Sequence, residues 1–185
     1  MKKEFEEARN RIIEQNSDSQ TLIGMQQTVR RLLSVMYYYE KPMTLNDMME
    51  LLGMSKASMS IAVRELEDIG LVKKVSRKGE RRDLYQVEED NYESFFNYFG
   101  YHWRKIINPK TVSMKKSIHE LTELLDRESL DDETKGLAEK DLSKLYAGLE
   151  YFHWLNRLIE KFESQEIFDL VPKEGISDST NHLPE

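Results

Sequence analysis

The sequence predicts a mainly α-helical chain with a small β-hairpin wing: a winged helix-turn-helix flanked by dimerisation helices. Three observations predict it. Glycine and proline are sparse, eight and four in 185 residues, so helical periods run long. Two short amphipathic segments, beginning at Thr44 and Ser55, are joined by a tight turn holding Gly53, the helix-turn-helix signature. The pattern then changes from period 3.6 to a β-rich one at Leu71, and a hairpin directly after the second helix is a wing.

Each element has a local reason. Phe5, Ala8, Ile12 and Ile13 share one face of a first helix, expected to end near Asn16 and Ser17. Val29, Leu32, Leu33 and Met36 do the same for a second, from about Leu22 to Tyr39, which Pro42 stops. Thr44 with an acid three residues on, Asp47, is close to a capping box. That helix buries Leu45, Met48, Met49 and Leu52, and Gly53 ends it. Ser55 caps the next helix, with Met59, Ala62, Val63, Leu66 and Ile69 inward and Gly70 after it. LVKKVS and DLYQVE flank RKGERR as two strands around a glycine turn.

From about Asn91 the chain returns to helix, with a break or kink expected at Asn108-Pro109. Met114, Ile118, Leu121 and Leu125 form one stripe. After SLDDET, the residues Ala138, Leu142, Leu145, Leu149, Phe152, Asn156 and Ile159 form a heptad stripe with one polar interruption. The two stripes suit either an intrachain hairpin or pairing across a homodimer, and sequence leaves that open. The expected organisation is residues 1–20 as an N-terminal dimerisation helix, 21–90 as the DNA-binding domain, 91–170 as a helical dimerisation and effector region, and 171–185 as a disordered polar tail.

Composition narrows the chemistry. The chain has no cysteine, which removes disulfides and thiolate chemistry. Its start, MKKEFEEARNRIIEQ, lacks a signal-peptide apolar region. No apolar run approaches the roughly 20 residues of a membrane helix, so a cytoplasmic protein with no membrane partner is expected. His102, His119 and His153 have no partner at metal spacing. GMSKAS lacks the phosphate-loop glycine pattern, and no nucleophile-base pair is legible, so no cofactor, no metal and no enzyme are expected.

The net charge of −7 argues against nucleic acid until its distribution is read. Lys73 to Arg82 holds six basic residues and one acid, a net +5, which leaves −12 on the rest of the chain. A focused basic patch on an acidic body suits a double-stranded DNA operator as partner. In a helix-turn-helix the N-terminal residues of the second helix enter the major groove. Here these are Ser55, Lys56, Ala57, Ser58, Ser60 and Ile61, then Arg64 one turn on. The candidate DNA-binding residues are Ser55, Lys56, Ser58, Ser60 and Arg64 in the helix, and Lys78, Arg81 and Arg82 in the wing. Serines approach bases and phosphates closely, Lys56 neutralises a phosphate, and Arg64 reads guanine or holds the backbone. Asp83 is expected to orient a neighbouring arginine. The bland alternative is that Ser55 and Ser58 cap a structural helix and the wing charges serve solubility.

The stretch from Lys41 to Asp90 resembles the GbsR family of MarR-like repressors, most specifically at Met54–Ser60 (MSKASMS) and Lys78–Tyr85 (KGERRDLY). The helical layout outside it is similar too, over nearly the whole chain except the tail. The resemblance implies a dimeric repressor controlling osmoprotectant genes, for glycine betaine synthesis or uptake, with choline as the usual effector.

A quaternary ammonium ion is recognised by aromatic faces. The chain has 18 aromatic residues, and 13 of them fall in three short clusters: Tyr37–Tyr39, Tyr92–Trp103 and Tyr151–Trp154. Tyr37, Phe95, Tyr98, Phe99, Tyr101 and Trp103 are the candidate ligand-binding residues for such an effector. Aromatics at helical spacing also serve as core or dimer interface, and a winged-helix protein-interaction module is the competing class.

Overall fold

The computed structural model describes residues 2–19, 25–79 and 81–174. Among them the order is α1 (Lys2–Ser19), α2 (Gln27–Tyr39), α3 (Leu45–Leu52), α4 (Lys56–Ile69), β1 (Val72–Val75), β2 (Leu84–Val87), α5 (Asn91–Leu125), α6 (Asp132–Glu163) and α7 (Ile167–Leu170). The chain divides into two compact units, Met1–Tyr101 and His102–Glu185. The expected start of the second helix at Leu22 lies outside the described residues, as do residues 175–185 of the expected tail.

The first unit is built on one apolar cluster. Ile13 of α1, Val29, Leu32 and Met36 of α2, Met48 of α3, Met59, Val63 and Leu66 of α4 and Val87 of β2 all belong to it. Leu32, Met48, Met59 and Leu66 are fully buried, each contributing roughly 1.5–3 kcal/mol relative to exposure. The capping box at the start of α3 is complete: the Asp47 backbone N–H donates to Thr44 Oγ1 at 3.2 Å, and the Thr44 N–H donates to Asp47 Oδ2 at 2.7 Å. The strands pair antiparallel, with Val72 opposite Val87 and Val75 opposite Leu84. Met43 adds a bridge to Tyr85, which ties the residue ahead of α3 to the wing.

Gly70 closes α4 at φ 82°, and its carbonyl accepts from Asn97 Nδ2 at 3.0 Å. Asn97 sits 3.4 Å from where a Cβ would stand, an ordinary van der Waals contact, so it is the left-handed conformation that calls for glycine here. The start of α5 is held by Asp90, whose Oδ1 accepts from the Tyr92 N–H at 2.7 Å. Ser94 Oγ donates to the Glu88 carbonyl at 3.3 Å.

The second unit contains the rest of α5, with α6 and α7. Of the break or kink expected at Asn108-Pro109, the break does not occur: the helix Asn91–Leu125 continues with Pro109 inside it. A proline removes one backbone hydrogen bond at a cost of about 3 kcal/mol. Ile107, fully buried two residues earlier, is among the packing that offsets it. The α6 stripe turns inward within the chain: Ala138 and Ile159 are buried, and Gly148 lets Met114 Cε of α5 come into the space its Cβ would fill. Arg104 and Glu163 form a two-pronged ion pair, one arm of which is 2.7 Å.

Candidate nucleic-acid interface and effector site

Ser55 is the N-cap of α4, and its Oγ accepts from the Ser58 N–H at 3.2 Å. The two hydroxyls also lie 3.0 Å apart in a mutual hydrogen bond. Both serines thus organise the first turn, as the capping alternative has it, and their capacity to reach a base is reduced. Met59, Ala62, Val63, Leu66 and Ile69 bury one face of α4. The opposite stripe, Ala57, Ile61, Arg64 and Asp68, is exposed along its whole length. Lys56 is exposed beside this stripe and Ser60 is half-buried. Ala57 and Ile61 had no chemical role in the sequence reading. Helical phase was the available signal, since each lies opposite the Met59–Val63 face.

Lys78, Arg81 and Arg82 are all exposed at the wing tip, where Gly79 adopts φ 87°. Glu80 lies outside the described residues. Asp83, expected to orient an arginine, instead pairs with Lys74 at 2.7 Å. The hairpin register explains the correction. Lys74 stands opposite Tyr85, so Asp83 is its diagonal neighbour. The hydrogen bond that Lys74 donates to Asp83 raises the Lys74 pKa against the opposing effect of desolvation. Lys73 similarly lies 3.8 Å from Glu88. The hairpin base is therefore charge-compensated, and the field of the basic run is concentrated at its tip.

The candidate aromatic residues sort into separate settings. Tyr37, Tyr98 and Tyr101 pack, partly buried, against the core of the first unit. Burial, and secondarily the negative charge of Glu65, pushes the Tyr98 phenol up to about 12. Phe95 is 53% exposed and lies 5.8 Å, centroid to centroid, from Phe99. Trp103 falls in the second unit and is half-buried there. Of the six, Tyr37 lines a cavity of about 110 Å³. Its walls also include Tyr38, Ser34, Glu88, Asn91 and Ser94. The Tyr37 and Tyr38 rings meet edge to face at 5.3 Å and 85°. Asn91 Nδ2 donates to the Tyr37 hydroxyl at 3.2 Å, and Asn16 Nδ2 donates to that of Tyr38 at 2.8 Å. Two aromatic walls beside a carboxylate form a setting able to hold a small cation. Tyr38 stands outside the candidate set because consecutive tyrosines on a helix point in different directions, and Glu88 because it meets these rings only when β2 folds beside α2.

Among the described residues no cluster of His, Cys, Asp or Glu is arranged to hold a metal ion, and no helix is long and apolar enough to cross a membrane.

A helix-turn-helix followed at once by a basic two-stranded hairpin defines a winged-helix regulator. Residues 23–83 match the MarR family, and residues 91–169 match the GbsR family transcriptional regulator, C-terminal helical hairpin. The chain belongs to the GbsR family of MarR-like transcriptional regulators, and is a regulator of the DNA-binding type rather than an enzyme. It is 42% identical over 169 residues to the HTH-type transcriptional repressor OpcR of Bacillus subtilis (strain 168), covering 91% of each chain. It is 32% identical over 170 residues to the HTH-type transcriptional repressor GbsR of the same strain, covering 92% of this chain and 94% of that one. A crystal structure described as a transcriptional regulator shares the fold, with a TM-score of 0.55 and 11% identity over 85% of this chain and 99% of that one.

Proposed function

We propose that this protein is a homodimeric repressor of osmoprotectant genes, for glycine betaine synthesis or uptake, whose hold on its operator responds to choline. The observation that carries the reading is the pairing, in one unit, of an exposed α4 stripe with a wing whose cations are concentrated at the tip. Ser55, Lys56, Ser58, Ser60 and Arg64 serve the major groove side, Ser55 and Ser58 largely by setting the helix start. Lys78, Arg81 and Arg82 serve the phosphate backbone or the minor groove. Two heads on one dimer engage two half-sites, which supplies the affinity a single head lacks. Leu137, Tyr146, Tyr151 and Trp154 of α6 are exposed apolar side chains available to a second copy.

The effector is choline, held by aromatic faces of the first unit drawn from Tyr37, Phe95, Tyr98, Phe99 and Tyr101. The cavity beside Tyr37 supports this reading most directly, since it combines two aromatic walls with Glu88.

One experiment tests both parts. A duplex is selected from a random pool with the full chain, and its affinity is followed by fluorescence anisotropy across a salt series. Changing Lys78, Arg81 and Arg82 together to Ala should weaken binding and lower the log–log salt slope by about 2–3, given about 0.9 per phosphate contact. An unchanged slope would reject the DNA role of the wing. Millimolar choline should shift the wild-type affinity, and Tyr37→Ala should raise the choline concentration needed by roughly 2- to 30-fold, the range of one cation–π contact. A choline-blind wild type would reject the effector.

A further inference from the structure

We propose that Ile61 reads sequence directly, as the apolar contact for the C5-methyl group of a thymine in the major groove. This rests on the DNA-binding reading above and assigns specificity within it.

Ile61 is 66% exposed, the most exposed large hydrophobic side chain among the described residues of the first unit. A lone exposed isoleucine is ordinary. Its position is what matters. It stands midway along the stripe that faces directly away from the buried side of α4, one turn after Ala57 and one turn before Arg64. Ala57 projects only a methyl group, so the first turn can approach a groove floor without obstruction. Lys56 and Arg64 place exposed cations on either side of Ile61 along the helix. An apolar centre between cations fits a polyanion that displays methyl groups in its groove, and thymine alone among the bases carries a methyl in the major groove. A β-branched side chain is also stiff at χ1, so little conformational freedom is lost when it seats. The neighbouring hydroxyls of Ser55 and Ser58 are engaged with each other and with the helix start. On the exposed stripe, base discrimination therefore falls to Ile61 and Arg64.

The test uses the full chain and duplexes selected from a random pool. Each thymine of the best duplex is replaced singly by uracil, which removes the methyl and keeps every hydrogen-bonding group. For at least one thymine in each half-site, wild-type affinity should fall about fourfold, the worth of one buried methyl-sized group. Ile61→Ala should bind the thymine and uracil duplexes equally. Arg81→Ala should bind both more weakly and keep the fourfold ratio. Sedimentation and a thermal melt of Ile61→Ala should match the wild type. The proposal is overturned if no uracil substitution matters to the wild type, or if Ile61→Ala keeps the full ratio. A changed oligomeric state with an intact ratio would assign this face to a second copy instead. A pool that yields no enriched duplex would overturn the DNA-binding reading itself, which separates that failure from the failure of Ile61.

Discussion

Ser55 shows how one side chain can satisfy two readings unequally. Its Oγ accepts the Ser58 N–H and shares a hydrogen bond with the Ser58 hydroxyl, so its main physical contribution is to α4 itself. Replacing an N-cap serine by alanine costs about 1 kcal/mol. Ser55→Ala should accordingly lower the melting temperature of the first unit by roughly 4–8 °C. Its DNA affinity should fall in proportion to helix fraying, and a differential melt read beside an anisotropy titration separates the two effects. Tyr98 is the residue whose titration the fold perturbs most plainly. Its pKa is raised from 10.0 to about 12. A group raised on folding contributes fully below its unfolded value, and the contribution is lost as pH rises through the folded one. Stability measured by urea melts should therefore decline from pH 10 upward, and Tyr98→Phe should lessen that decline. Tyr85, also raised chiefly by burial, accounts for a further share.

At the scale of elements, one contact between α5 and α6 turns on Gly148. A Cβ there would meet the flexible end of Met114, which can swing aside. Gly148→Ala should be nearly neutral, because the gain of up to about 1 kcal/mol in helix propensity offsets the shift of one methionine. Gly148→Leu should destabilise by about 1–3 kcal/mol, the usual cost of overpacking, as read from denaturant melts. Much of this architecture was legible. The switch from helical period to β-rich residues at Leu71 marked the wing, and the Thr44–Asp47 spacing came close to the capping box that the structure completes. What local pattern missed was decided by partners distant in sequence. Pro109 was expected to break or kink its helix, and the helix runs through it unbroken. Asp83 looked like an arginine partner, yet strand register set it beside Lys74. The candidate site was legible as a set of positions, less so as a set of roles. Serines near Lys56 suggested base contacts, while the geometry assigns two of them to the cap and leaves Ile61 facing outward. The aromatic clusters were visible, but Glu88 reaches Tyr37 only through tertiary packing.

For the whole molecule, the division of labour is in the charge and in the core. The basic tip belongs to the first unit, and the acid-rich remainder keeps the chain at −7 overall, which favours a local rather than diffuse attraction for polyanions. The core of the first unit is unusually rich in thioethers. Met25, Met36, Met43, Met48 and Met59, five of the nine methionines in the chain, are buried there, and the chain has no cysteine. Such side chains pack adaptably. They also make the protein its own recorder of motion. A peroxide converts an accessible methionine to a sulfoxide, and with no thiol to compete, oxidation at Met48 or Met59 measures how often the reading head breathes open. Bound DNA or effector that quiets that breathing would leave its mark as slower sulfoxide formation at those two sulfurs.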